Sequence, residues 1–92
     1  MIDRVIVTVL YTEQEQVLFQ DDFELSANVP IKELKEGILK ALKKEKRELF
    51  QNVDTIDIAK KDMPNLIIGD DLTLESEGIW DGSILVVSRR KR

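Results

Sequence analysis

The sequence predicts an α+β fold: a mixed sheet of four to five strands with one main helix packed on one face. Three observations predict it. An apolar, β-branched run (RVIVTVLY) occupies residues 4–11, as in a strand buried on at least one face. A helical stripe with spacings of 3 and 4 residues begins at Ile31. Residues 70–87 form a compact closing unit with a tight Asp-Gly reversal before the last strand.

The first two strands are predicted to form a hairpin. Thr8 sets the register of the first strand, which alternates between the core and the opposite face. The inward residues are Val5, Val7 and Val9, and the outward residues are Ile6, Thr8 and Leu10. Polar residues 12–16 predict the loop, and residues 17–22 fit either an extended hairpin or a bulge. Phe23, Leu25 and Ala27 alternate with polar residues as the second strand.

One amphipathic helix is predicted after the break at Val29-Pro30, because proline suits the first turn, where its missing N–H is not needed. Its apolar stripe consists of Ile31, Leu34, Ile38 and Leu42, and whether the stripe extends to Leu49 is left open. Glutamates lie early and lysines late, as the helix dipole favours. Gly37 costs roughly 1 kcal/mol relative to alanine in such a helix. It marks either a close approach of a strand or a tolerated residue.

Residues 55–59 predict a third strand with Ile56 and Ile58 inward and Asp57 outward. Met63-Pro64-Asn65 has the composition of a turn, and residues 66–68 predict a short fourth strand. The closing unit then supplies core anchors, a polar helical turn that ends at Gly78, and a strand from Ile84 to Val87. Its predicted anchors are Leu72, Leu74 and Ile79.

Composition excludes several classes of function. The chain has neither cysteine nor histidine, so thiolate chemistry and the usual neutral-pH base are both missing. We therefore predict no enzyme activity, cofactor, metal site or small-molecule substrate. A net charge of -4 disfavours general nucleic-acid binding. No apolar run approaches the ~20 residues of a membrane span, and the first residues do not resemble a signal peptide. A cytoplasmic location is expected.

The apolar anchors resemble those of ubiquitin over almost the whole chain. More narrowly, LSANVPIKEL at residues 25–34 and GIWDGSIL at residues 78–85 resemble the YukD/EsaB family. These small bacterial proteins accompany type VII (WXG100) secretion systems, and a related domain forms the cytosolic start of the membrane component EccD. The resemblance implies a ubiquitin-like β-grasp domain over residues 1–88. It also implies an adaptor or regulatory role, with cytosolic domains of the secretion apparatus as protein partners.

Two features depart from ubiquitin. No glycine follows Gly82, which disfavours the alternative role of a modifier or sulfur carrier, since conjugation needs a Gly-Gly end. Asp57 also stands where the main recognition patch of ubiquitin needs an apolar residue. A nucleic-acid binder that uses basic residues remains a second alternative.

In a β-grasp, the first and last strands are parallel neighbours. With Leu85 and Val87 toward the helix, two residues of the last strand lie beside two residues of the first on the uncovered face. Apolar clusters of this kind mark binding or self-association surfaces, although scattered apolar residues are also normal there. The only tryptophan is either an interface hot spot or packs along its own turn. The predicted partner-binding residues are Ile6, Leu10, Ile84, Val86 and Trp80.

Basic residues form two runs. The first comprises Lys40, Lys43, Lys44, Lys46 and Arg47 and is predicted to be a solvated helix end, with an anionic surface as the alternative. The second, residues 89–92, is predicted to be a disordered tail. One alternative is that this run makes weak contact with an anionic membrane surface. Another is that a longer natural chain continues from it toward a membrane segment. A homodimer through the sheet face is a further expectation.

Overall fold

A computed structural model describes residues 3–90 of the chain. Its elements are β1 (Arg4–Glu13), β2 (Gln16–Ser26), α1 (Ile31–Glu45), α2 (Arg47–Phe50), β3 (Thr55–Lys60), β4 (Met63–Ile67) and β5 (Ile84–Arg90). The strands form one sheet in the order β2-β1-β5-β3-β4. Strands β1 and β5 are parallel, and the other neighbours are antiparallel. The predicted mixed sheet, with its first and last strands adjacent, is confirmed.

The core lies between α1 and the sheet. Alternation on β1 buries every second residue, and a buried stripe on α1 packs with them in one apolar cluster. The predicted inward residues of both elements are all buried: Val5, Val7, Val9, Ile31, Leu34, Ile38 and Leu42. No helix within residues 3–90 is long and apolar enough to cross a membrane.

The β1–β2 hairpin is longer than predicted. Its turn is only Gln14-Glu15, both with positive φ (50° and 67°), a backbone whose twist matches that of the flanking strands. Tyr11 pairs with Phe19 but Thr12 pairs with Val17, so Leu18 is the extra residue of a bulge. Residues 17–22 therefore contribute both a bulge and an extended strand.

Helix α1 does not continue to Leu49. It ends at Glu45, and Lys46 (φ -131°) separates it from the short helix α2. That change of direction places Phe50 fully in the core, while Leu49 is only partly buried. At Gly37 an added Cβ would meet no atom within 4 Å, which favours a tolerated glycine over a close approach.

The turn predicted at Met63-Pro64-Asn65 is wrong, because these residues belong to β4 and the chain reverses at residues 61–62. Pro64 is accommodated since β4 is an edge strand. Leu72 is also not a core anchor. It is 39% exposed, whereas Ile68 is buried.

The rest of the closing unit is confirmed. Leu74 and Ile79 are buried. Gly78 and Gly82 adopt positive φ (66° and 87°), which glycine reaches without a Cβ clash.

The expected disorder of residues 89–92 is wrong for Arg89 and Arg90, which pair with Ile56 and Thr55 in the sheet. The Arg89 guanidinium donates to the Leu49 carbonyl (3.0 Å) and to Glu13 Oε1 (2.6 Å). These bonds explain the order of the strand end, since they connect β5 to α2 and β1. Lys91 and Arg92, the rest of the predicted tail, lie outside the described residues.

Candidate protein-interaction surface

The sheet face opposite α1, called the outer face below, carries a row of apolar residues. Strand register places Thr8 beside Ile84 and Leu10 beside Val86. Because side chains alternate along a strand, these residues point away from α1. The predicted grouping of Ile6, Leu10, Ile84 and Val86 on one face is therefore what the register produces.

Exposure varies within this group. Ile6 is 49% exposed and Leu10 only 8%, while Ile84 and Val86 are half-buried. Leu10 is buried because it sits between Gln20 of β2 and Val86 of β5. The expectation of four exposed aliphatic side chains is thus wrong for Leu10, which forms the floor of the surface.

Sequence reasoning missed the continuation of this surface toward β4. Ala59 pairs with Val86 on one side and with Ile67 on the other, which extends the apolar row to the sheet edge. Ile67 is 49% exposed, and Met63 and Leu66 of the same strand are also exposed. A fourth strand was predicted at residues 66–68, but the turn predicted at residues 63–65 left out its first three residues.

Trp80, in the segment that leads into β5, is 56% exposed. Its turn is fixed to β1, because Ile6 N donates to Asp81 Oδ1 (2.7 Å) and Gly82 N donates to the Ile6 carbonyl (2.9 Å). The Trp80 N–H donates to Ser83 Oγ (3.0 Å) inside the turn. The structure thus holds the turn of Trp80 against the backbone of Ile6. We call Ile6, Ile84, Val86 and Trp80 the outer-face patch.

Polar and acidic residues of β2 border the patch. Gln20, Asp22 and Glu24 pair with Leu10, Thr8 and Ile6. Thr8 Oγ1 donates to Asp22 Oδ1 (2.7 Å), which fixes one carboxylate at the edge of the apolar surface. The patch therefore has an apolar centre and a polar rim, the usual anatomy of a recognition surface.

Lys35 of α1 is 5% exposed, and its ammonium lies 2.6 Å from Asp70 Oδ1 and 3.8 Å from Asp57 Oδ1. The hydrogen bond from Lys35 is the main reason that the pKa of Asp70 falls below its usual value. Asp57 also lies 3.8 Å from Arg90 Nε. Asp57 thus takes part in a network that joins β3, α1 and β5.

The loop that carries Asp70 also caps α1. The helix has no side-chain cap, and its first N–H groups need acceptors. Ile31 N donates to the Leu72 carbonyl (2.8 Å) and Lys32 N to the Asp70 carbonyl (3.1 Å). The ionisable cluster around Lys35 therefore positions the loop on the helix.

A second ionisable cluster surrounds Arg89, whose guanidinium lies 5.6 Å from the centre of the Tyr11 ring. The Tyr11 hydroxyl donates to Glu13 Oε1 (2.8 Å). Burial, together with this hydrogen bond, raises the pKa of Tyr11 to about 12. Within residues 3–90 no group of three or more acidic side chains is placed to hold a metal ion.

Comparison with known proteins places the chain in a family. The family model described as "WXG100 protein secretion system (Wss), protein YukD" matches residues 4–87. No curated protein matches. Among solved structures, the ubiquitin-like domain of EccD5 from Mycobacterium xenopi is similar, with a TM-score of 0.74, 18% identity and coverage of 97% of each chain.

Two further structures resemble the chain. The ubiquitin-like domain of the Mycobacterium tuberculosis type VII secretion protein EccD1 has a TM-score of 0.69 and 19% identity, and covers 94% of this chain and 98% of that domain. A chain of a MycP5-free ESX-5 inner membrane complex has a TM-score of 0.72 and 20% identity. That match covers 98% of this chain and 22% of the other. The chain belongs to the YukD family of the WXG100, or type VII, protein secretion system, and its fold is the ubiquitin-like β-grasp.

Proposed function

We propose that this protein is a non-enzymatic adaptor or regulatory component of a type VII secretion apparatus, and that it recognises a protein partner through the outer-face patch. The observation that carries the proposal is the apolar surface that the fold leaves uncovered. About half of Ile6 and of Trp80 is exposed, and Ile67 extends this surface to β4. Exposed apolar residues gathered on one face and rimmed by polar residues are typical of protein interaction sites.

Similar domains support the class of partner. One belongs to EccD5, another to EccD1, and a third lies in an ESX-5 inner membrane complex. By analogy, the partner of this chain is a cytosolic domain of its own secretion apparatus. The protein then works in the cytoplasm, at the inner face of the membrane.

The exposure of the patch sets the expected strength of binding. Full burial of a large apolar side chain contributes roughly 1.5–3 kcal/mol. Since the patch residues are already about half buried, each contributes on the order of 1 kcal/mol on binding. Such a surface suits a reversible contact, with Trp80 as the candidate hot spot because tryptophan is enriched at such positions.

Within residues 3–90, the end of β5 differs from the free segment of a modifier. A modifier presents a free, flexible segment after its last core strand. Here the residues after Val87 continue the antiparallel ladder with β3, and Arg89 is held by the Leu49 carbonyl and Glu13. Ser88 to Arg90 are therefore part of the sheet.

Capture of purified cytosolic domains of the cognate secretion apparatus tests the proposal. The double variant Ile84→Ser/Val86→Ser is expected to keep the wild-type circular dichroism spectrum and to weaken capture at least about tenfold, since two apolar contacts of roughly 1 kcal/mol each are lost. Val17→Ser/Leu72→Ser removes two exposed apolar residues outside the patch and serves as the matched control.

Equal capture by the two double variants contradicts the proposal. Light scattering of the same samples measures whether the chain self-associates. If the wild type is a dimer and Ile84→Ser/Val86→Ser is a monomer, the occupant of the patch is a second copy of the chain.

A further inference from the structure

The fold brings the first basic run of the sequence and the described start of the second, Arg89 and Arg90, to one end of the molecule. The first run spans the last turns of α1 and the start of α2. The second begins at the end of β5. Arg89 Nη1 donates to the Leu49 carbonyl at 3.0 Å, which fixes the end of β5 beside α2, two residues from Arg47. Runs separated by about forty residues in the sequence thus form one surface, which we call the basic end.

The basic residues that the helices contribute to the basic end are exposed and free of ion pairs. Five basic residues in this part of the chain are exposed, and no ion pair within residues 3–90 involves any of them. They are Lys40, Lys43, Lys44, Lys46 and Arg47. Glu45 and Glu48 lie among them and leave a net positive charge. Arg90 adds an exposed guanidinium, whose Nε lies 3.8 Å from Asp57 Oδ2, and Lys91 and Arg92 follow it in sequence.

The basic end is separate from the outer-face patch. Ile84 lies at the start of β5, with Trp80 four residues before it, and Arg90 lies at the end of the strand. Six residue steps of a strand span about 20 Å, so a contact at one end leaves the other end accessible. The chain as a whole is acidic, with a net charge of -4. The excess of positive charge is therefore a local property of the basic end.

We propose that the basic end binds the surface of an anionic membrane while the outer-face patch stays available to a protein partner. Flexible lysines on a helix end match the diffuse negative charge of lipid headgroups. Each exposed basic residue adds to the electrostatic attraction. Single-stranded nucleic acid is less well matched, because its binding sites combine basic residues with aromatic side chains that stack on the bases. The aromatic residues at this end, Tyr11 and Phe50, are buried, and exposed Trp80 is at the other end.

This inference deepens the proposed location at the membrane, but it uses a different surface from the proposed partner contact. Flotation of the full chain with phosphatidylcholine vesicles that contain about 30 mol% phosphatidylglycerol tests it. We expect binding near 0.05 M salt, a large loss near 0.3 M because exposed charges are then screened, and no binding to pure phosphatidylcholine.

Two quadruple variants with the same net charge locate the contact. Lys43→Gln/Lys44→Gln/Lys46→Gln/Arg47→Gln is expected to weaken binding at least about tenfold. Arg4→Gln/Lys32→Gln/Lys60→Gln/Lys61→Gln removes four basic residues elsewhere and is expected to stay within about threefold of the wild type. Circular dichroism checks that both variants are folded.

Three outcomes overturn the inference: no wild-type binding to the anionic vesicles at low salt, equal losses in the two quadruple variants, or tighter binding to a single-stranded RNA homopolymer than to vesicles at equal salt. Partner capture by the first quadruple variant distinguishes the two proposals. If vesicle binding fails while capture still depends on Ile84 and Val86, only the membrane inference is wrong.

Discussion

Removing either partner of the Lys35–Asp70 ion pair is expected to have unequal effects on stability. The side chain of Lys35 is 6% exposed and that of Asp70 is 53% exposed. Asp70→Ala therefore leaves a buried ammonium whose remaining carboxylate, on Asp57, is 3.8 Å away. Lys35→Met leaves a carboxylate that water can hydrate, and it keeps an unbranched apolar stem in the same space. The burial of Lys35 therefore decides how much stability each variant loses.

Breaking a fully buried pair by removing one partner costs about 3–5 kcal/mol. Asp57 retains part of the attraction and Asp70 is already half hydrated, so we expect Asp70→Ala to lower the free energy of unfolding by about 2 kcal/mol. Lys35→Met should lower it by less than about 1 kcal/mol. The double variant should resemble Lys35→Met alone, because Asp70 has no ammonium left to neutralise.

The pH dependence gives an independent check. The pKa of Asp70 is depressed in the folded protein, mainly by the hydrogen bond from Lys35. A depressed carboxyl pKa stabilises the folded state above the unfolded pKa, which is about 4 for aspartate, and this stabilisation is lost as the pH falls through the folded value. The difference between wild type and Asp70→Ala should thus be constant near neutral pH and shrink below about pH 4.

Urea unfolding followed by far-ultraviolet circular dichroism measures all three variants, with unchanged m-values as the condition for comparison. Asp70→Asn is the matched control. Its amide oxygen still accepts the hydrogen bond, so its loss should lie between those of wild type and Asp70→Ala. A loss for Lys35→Met as large as that for Asp70→Ala would refute the reasoning, since burial of the unpaired ammonium would then not be the main cause of the lost stability.

Three further predictions concern stability and titration. Gly37→Ala should raise the free energy of unfolding by up to about 1 kcal/mol, since the added methyl group meets no neighbour; no gain in a urea titration would contradict this. Arg89→Ala should lower the free energy of unfolding by about 2 kcal/mol, because the hydrogen bonds from Arg89 to Leu49 and Glu13 are lost. Arg89→Lys should not restore both hydrogen bonds. Ultraviolet titration of the single tyrosine should give a pKa of about 12 for Tyr11. Because this value lies above the unfolded pKa of about 10, the protonated hydroxyl stabilises the folded state, and this stabilisation is lost as the pH rises through about 12. A titration midpoint near 10 would be inconsistent with the burial of Tyr11.

Local periodicity was sufficient to predict the main elements. The valines of β1 and the stripe of α1 report which side faces the core, because each pattern repeats with the period of its own backbone. The position of β5 beside β1 was different. It followed from resemblance to a known fold, since pairing between strands far apart in sequence leaves no periodic signal.

The residues that sequence reasoning missed depend on contacts between distant segments. Lys35 looks like a solvent-exposed helix residue, and its burial follows from Asp70, which lies 35 residues later. Arg89 looked like part of a basic tail, but Glu13 lies 76 residues before it and accounts for its order. Phe50 belongs to a helix of four residues, too short to show a periodic stripe. In each case a partner unseen in the local sequence decides the environment.

Strand β5 joins the two parts of the proposed function to the core. Its alternation sends Leu85 and Val87 into the core, and Ile84 and Val86 to the outer face. Fold stability and the proposed partner recognition thus depend on neighbouring residues of opposite orientation, so substitutions can separate the two. The order at the end of the strand brings Arg90 to the basic end, so one strand connects the proposed protein contact to the proposed membrane contact. A rigid link of this kind would fix the distance between partner and membrane, which a flexible tail could not do.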